Sequence, residues 1–266
     1  MTDQPTVLVD RRQDFRIVTL NRPARLNALT EEVYVALRAA FDEAQRDADC
    51  RALMLTGAGR GFCAGADLNN RLPVDGQPRD LGRSLDTLLN PLVRQLRALP
   101  FPTIAAVNGV AAGAGANLAL NCDIVLAARS ARFIQAFARI GLALDGGGSW
   151  LLPRLVGMAR ARALALTAEP LPAETAQQWG LIWKAVDDAQ LMPEAEALCA
   201  QLAAGPTAAL GLIKRALDAA ETNDLDAQLD LERDLQREAG FCPDYAEGVR
   251  AFVEKRAAKF SGRRGG

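Results

Sequence analysis

The sequence predicts an α/β fold that ends in an all-helical region. Three observations lead there. Short apolar runs alternate with amphipathic stretches through the first part of the chain, small-residue turns follow two of those runs, and strand-like runs cease from about Leu191 onward. The expected division is an α/β core over residues 1–200 and a helical region over 201–266.

Taken in order, Phe15 to Leu20 reads as a strand ended by Asn21-Arg-Pro23. Thr30 is placed to cap a helix, with Glu31 and Glu32 in its positive first turn, Val33, Leu37 and Phe41 on one face, and Leu29 stapling against Tyr34. Ala52 to Thr56 is the next strand. The run from Gly57 to Asp67 is so rich in small residues that it is expected to be a loop without regular structure, where backbone comes close to something. A further strand at Thr103 to Val107 runs into a second small-residue segment, Asn108 to Asn117, followed by a helix and a strand at Ile124 to Ala127. In the tail, Pro206-Thr207 opens a helical stretch followed by Leu225, Leu229 and Leu235 at mixed helical spacings, and a last helix is expected around Val249 to Ala258.

Composition narrows the function classes. Half of the 266 residues are apolar, enough for a sizeable core. The charges, 31 basic against 32 acidic, give no overall pull toward nucleic acid or anionic lipid, so any anionic ligand must be held locally. The N-terminal residues lack the basic head and apolar block of a secretory signal, and no apolar run approaches membrane-spanning length; the expectation is a cytoplasmic protein. Five scattered cysteines without a CxxC pair read as reduced packing thiols, with no metal site. The chain has no histidine, which removes the commonest general base and metal ligand together. Proton chemistry must then fall to a carboxylate, Lys, Tyr, Cys or water.

Small residues at two strand-to-helix turns leave backbone N–H groups uncovered. Two of them converging would form an oxyanion hole. The competing reading, which residue chemistry alone favours, is that glycine and alanine there merely permit tight turns and close helix packing. These glycines match neither the dinucleotide fingerprint nor a phosphate-binding GxxxxGK loop.

Four segments go further. Asn21-Arg-Pro-Ala-Arg-Leu-Asn27, Gly61-Phe-Cys-Ala-Gly-Ala-Asp-Leu68, the stretch from Ala106 to Ala116, and Glu247 to Arg256 occur in this order and span nearly the whole chain. In them the sequence resembles the crotonase superfamily of enoyl-CoA hydratases and isomerases. It is most similar to an isomerase branch through Leu89-Asn-Pro-Leu-Val-Arg94, Leu144 to Pro153, and Asp230-Leu-Glu-Arg-Asp234.

The resemblance implies a crotonase-type ββα spiral core with a helical C-terminal trimerisation region, and a homotrimer or a hexamer built as a dimer of trimers. It implies an acyl-CoA thioester as substrate and no cofactor, since coenzyme A belongs to the substrate. Carried over by position, the N–H groups of Ala66 and Ala114 form the oxyanion hole. Arg25, Leu26, Ala28, Ala64, Asp67 and Leu68 line the coenzyme A site, and Phe252 and Lys255 reach it from the C-terminal helix, in the same or a neighbouring subunit. The glutamates with which hydratases of this superfamily handle water fall here at Asn117 and Phe137, which disfavours hydration.

Asp145 alone reads first as a helix N-cap for a segment beginning near Ser149. The match to the isomerase motif makes it the working carboxylate instead, although Leu144 and Gly146 stand where that motif often has Pro and Cys. The expected activity is isomerisation of a ring-epoxide or enoyl thioester with one carboxylate as proton shuttle. Hydration, attack of a carboxylate nucleophile on an aromatic acyl thioester, and an RNA-binding role without catalysis are the alternatives. Against the last stand the absence of a basic run and an aromatic content of only 5%.

Overall fold

The computed structural model describes residues 4–71, 77 and 79–262. Val7–Arg11 (β1) and Phe15–Leu20 (β2) pair antiparallel, and β2 is buried on both faces. Thr30 caps the helix Glu31–Arg46 (α1), its hydroxyl accepting from Val33 N at 3.4 Å. Val33, Tyr34, Leu37, Ala40, Phe41 and Ala44 form the buried face, at the spacing of one side of a helix. Ala52–Gly57 (β3) then pairs parallel with β2.

The segment after β3, expected to be loop throughout, contains a short strand, Gly61–Cys63 (β4). Small residues are poor strand formers alone. Here a parallel partner, Val110–Ala112 (β6), supplies the hydrogen bonds, and burial of all three residues supplies the packing. After the short helix Leu81–Ser84 (α2), a wider turn at Leu85–Leu89 continues into Asn90–Ala98 (α3).

From there the grammar repeats. Thr103–Val107 (β5) leads through β6 into Ala114–Leu120 (α4), and Ile124–Ala128 (β7) is followed by Arg132–Ile134 (β8) and then Gly148–Thr167 (α5). One long sheet has the order β1-β2-β3-β5-β7-β10, where β10 is Lys184–Val186, and a second sheet of short strands has the order β4-β6-β8-β9, where β9 is Leu171–Pro172. Ala173–Gln178 (α6) and Leu191–Ala203 (α7) complete these layers. The pairs β3-β4, β5-β6 and β7-β8 thus each contribute one strand to each sheet before the chain enters a helix, which is the ββα spiral.

The tail comprises Thr207–Ala220 (α8), Leu225–Gly240 (α9) and Pro243–Val253 (α10). Its root is firmly held. Lys214 of α8 pairs with Asp123 at 2.8 Å and donates to the carbonyls of Leu99 and Phe101, while Arg51 donates to Gly205 O and Thr207 Oγ1. The last helix begins earlier than expected, because Pro243 occupies a first-turn position where its missing N–H costs nothing. It also ends earlier, and Lys255 beyond it adopts a left-handed conformation (φ 53°). No single helix among the described residues is long and apolar enough to cross a membrane.

Candidate active site

The first small-residue turn is built on residues 26–29, which run beside 64–67. Ala64 N donates to Leu26 O (2.9 Å), Leu29 N to Gly65 O (2.8 Å) and Asp67 N to Leu29 O (2.9 Å). Ala66 is the residue that bridges Leu29 in this parallel pairing. In a parallel ladder a bridging residue is held through its neighbours' groups, so the Ala66 N–H points away from Leu29.

Residue Asn27, buried and left-handed (φ 58°), locks this arrangement. Its amide nitrogen lies 2.8 to 3.1 Å from the carbonyls of Ala58, Gly61 and Phe62, and its oxygen accepts from Arg22 N. Sequence reasoning noted Asn27 only as the end of a motif. The signal that could have found it is an Asn beside small-residue turns, a residue that tolerates positive φ and can donate to several carbonyls.

The second turn follows β6. Gly113 (φ 51°) precedes α4, and the first intrahelical bond there is Asn117 N to Gly113 O at 3.1 Å. Ala114 stands at the start of the helix, where an N–H has no acceptor within the helix.

The two turns press on one another. A Cβ on Gly65 would lie 2.7 Å from Ala112 O and 3.5 Å from Ala114 N, and one on Gly115 would lie 2.4 Å from Cys63 O. Close packing is therefore the reason for glycine at both positions. The same packing puts the backbone that carries the Ala66 N beside that of Ala114.

Asp145 lies on a third segment, tied to α4 from below. Asn117 Nδ2 donates to Asp145 O at 2.7 Å, Asn121 Nδ2 to Gly146 O at 2.8 Å, and Gln135 Nε2 to Asn117 Oδ1 at 3.0 Å. The residue is half-buried, with its Oδ1 buried. It is not a helix N-cap: Gly147 (φ 82°) caps α5, and the Asp145 carbonyl accepts from Gly148 N. Phe137, at the other expected hydratase position, is buried, and its ring lies 3.7 Å from where a Gly113 Cβ would stand. It forms an apolar wall over the second turn.

Of the residues implied for coenzyme A, Leu26, Ala28, Ala64 and Asp67 fall together along the ladder at 26–29 and 64–67, with Leu68 and Arg25 exposed at its ends. Leu26 is left-handed (φ 48°), an uncommon conformation for a leucine. The Asp67 carboxylate is engaged inside the protein. Burial alone would push it up, but Arg22 at 3.1 Å and the Asn69 N–H outweigh that and hold it below the usual carboxylate range.

Cys63, also in the first turn, is buried, and desolvation pushes its thiol up to about 12, which makes it a packing residue rather than a nucleophile. A cavity of about 450 Å³ opens beside this turn among Leu29, Thr30, Tyr34, Asp67, Leu81 and Leu88. Residues 72–76 and 78, between the first turn and α2, lie outside the described residues. Phe252 is not brought to these turns in this chain. It lines an apolar groove with Leu212, Leu235, Val249 and Phe260, and Lys255 follows just beyond α10.

The sequence pattern of the enoyl-CoA hydratase/isomerase family matches residues 11–263. The chain belongs to that family. Its relatives include the 1,2-epoxyphenylacetyl-CoA isomerase of Escherichia coli (strain K12), 56% identical over 247 residues that make up 92% of this chain and 94% of that one. The 2,3-dehydroadipyl-CoA hydratase of the same organism is 36% identical over 97% of this chain and 98% of its own. A crystal structure of a putative enoyl-CoA hydratase/isomerase from Mycobacterium abscessus superposes with a TM-score of 0.92 at 34% identity, covering 97% of this chain and all of that one. Relatives named as an isomerase and as a hydratase thus both match nearly the whole of this chain.

Proposed function

We propose that the chain is an acyl-CoA isomerase with a single carboxylate shuttle, in which the Ala66 and Ala114 amides bind the thioester oxygen and Asp145 moves the proton. The observation that carries this reading is the double role of α4. Its first residue offers one of the two amides, and its second turn grips the Asp145 carbonyl through Asn117. Asp145 takes a proton from a substrate carbon while negative charge collects on the thioester oxygen. It then returns that proton to a different carbon, so nothing is gained or lost. Preorganised amides favour the charged state, and removing one such donor typically costs about 3 to 4 kcal/mol of activation free energy.

Kinship with the 1,2-epoxyphenylacetyl-CoA isomerase supports a ring epoxide of a phenylacetyl thioester as substrate, rearranged to its seven-membered oxepin. Shift of a double bond in an aliphatic enoyl thioester is the related reaction of the same site. Hydration is disfavoured because Asn117 and Phe137 stand where two glutamates would be needed.

The implied ligand cradle is Arg25, Leu26, Ala28, Ala64, Asp67 and Leu68, with Phe252 and Lys255 supplied by a neighbouring subunit. Residues 201–266 would serve as the assembly region of a trimer or a dimer of trimers. The exposed apolar side chains Leu225, Leu229, Phe252 and Val253 support such an arrangement. The deciding assay is Asp145→Asn against ring-epoxide and enoyl thioesters. Turnover is expected to fall about 100- to 10,000-fold, and a near-wild-type rate removes Asp145 from the mechanism.

A further inference from the structure

The network beneath Asp145 is more elaborate than a turn requires. Asn117 and Asn121 stand one helical turn apart and share a face. They hold the carbonyls of two successive residues, Asp145 at 2.7 Å and Gly146 at 2.8 Å. Behind them Gln135 donates to Asn117 Oδ1 at 3.0 Å, so each amide in the row Gln135, Asn117, Asp145 donates to the next carbonyl. Such a row polarises cooperatively, and all three amide side chains are buried.

The space is equally particular. A Cβ on Gly148 would stand 2.4 Å from Asn117 Nδ2, and one on Gly146 would stand 3.3 Å from Asn117 Cβ. Gly146 and Gly147 both take positive φ, at 57° and 82°. The segment that carries Asp145 is thus folded tightly around the asparagine.

We infer that Asn117, with Gln135 behind it, is a positioning residue that fixes the main chain of Asp145 and so aims its carboxylate. The inference rests on the isomerase reading above. It also gives the position a physical logic. An ionised glutamate at 117 could not donate to the Asp145 carbonyl and would set its oxygens against that carbonyl. A side chain that would do water chemistry and one that anchors the carboxylate segment therefore exclude each other at this site.

The test is Asn117→Leu, which roughly keeps size while removing donor and acceptor, made in the wild type and in Asp145→Asn, whose main-chain carbonyl is unchanged. With the ring-epoxide thioester, kcat is expected to fall about 100-fold, the loss typical of a base displaced by about 1 Å. KM should stay within about twofold, since the amides and the ligand cradle are untouched. In the Asp145→Asn background the same substitution should cost nothing further.

A loss of equal size in both backgrounds, or a rise in KM alone, makes Asn117 merely structural and overturns the inference. A large Asp145→Asn loss beside an unimpaired Asn117→Leu sinks the positioning role and leaves the base standing. A near-wild-type Asp145→Asn sinks the base assignment and the positioning role with it. If Asn117→Leu does not fold, Gln135→Met removes the next donor in the row. It should lower kcat by about 10-fold with the same unchanged KM and the same silence in Asp145→Asn; no effect on kcat overturns the row's role.

Discussion

Helices α1 and α9 each run for 16 residues, yet α1 buries six side chains within this chain and α9 buries only Leu235. Both are amphipathic. The difference lies in what faces them: α1 lies against the long sheet and α3, whereas α9 touches chiefly its helical neighbours and leaves Leu225 72% and Leu229 53% exposed. A helix of the first kind is fixed by its own chain, and one of the second kind leaves apolar side chains open on the surface, where the proposed assembly would cover them. The proposed site divides along the same line. The two turns and the Asp145 segment are knotted together internally, while Phe252 and Lys255 stand on the region whose apolar faces are open.

Three changes would break or sharpen that contrast. The largest effect is expected in the knot. Gly65→Ala must strain a backbone at φ +91° and push a methyl group against Ala112 O, so the Ala66 amide should lose its place and kcat/KM should fall about 100- to 1,000-fold. A steady-state assay of the refolded variant with a checked circular dichroism spectrum reads this directly.

A smaller effect on folding, but a complete one on assembly, is expected in the tail. Leu229→Asp should leave the melting of a single chain nearly unchanged and shift the mass seen by light scattering to that of a monomer. A monomeric wild type would show that the exposed face of α9 serves another purpose.

The smallest effect concerns Asp67. Its carboxyl is held below the usual range, so the stability it contributes is present above an ordinary aspartate pKa of about 4. That stability is lost as pH falls through the depressed value. Asp67→Ala should cost about 1 kcal/mol at pH 7, discounted because the Arg22 side chain is 23% exposed. In urea titrations the gap between variant and wild type should close as the solution is acidified.

What could be read from the sequence follows the same division. The strands at Phe15, Ala52, Thr103 and Ile124 and the cap at Thr30 declare themselves because their apolar pattern and capping residues are local. The strand β4 escapes such reading, since its hydrogen bonds come from residues about 50 positions away. The limits of α10 escape it too: Pro243 marks the start, but the apolar pattern runs on past Val253. Within the site, glycine-rich turns and a resemblance picked out Ala66, Ala114 and Asp145. The amide row of Asn117, Asn121 and Gln135 and the knot at Asn27 stayed hidden, because side-chain bonds to main-chain carbonyls leave no period in the sequence. Asn117 was visible only as a missing glutamate.

The consecutive left-handed residues Leu26 and Asn27 carry a last implication. Bending a leucine this way costs roughly 1 to 2 kcal/mol, and here the bonds that Asn27 makes to main-chain carbonyls hold the bend from within the chain. If the proposed cradle at 26–29 and 64–67 holds the coenzyme A moiety, a segment held in this way leaves little of the binding free energy to be spent on ordering it. Discrimination among thioesters should accordingly reside downstream, where the acyl group goes, and not where its carrier is held.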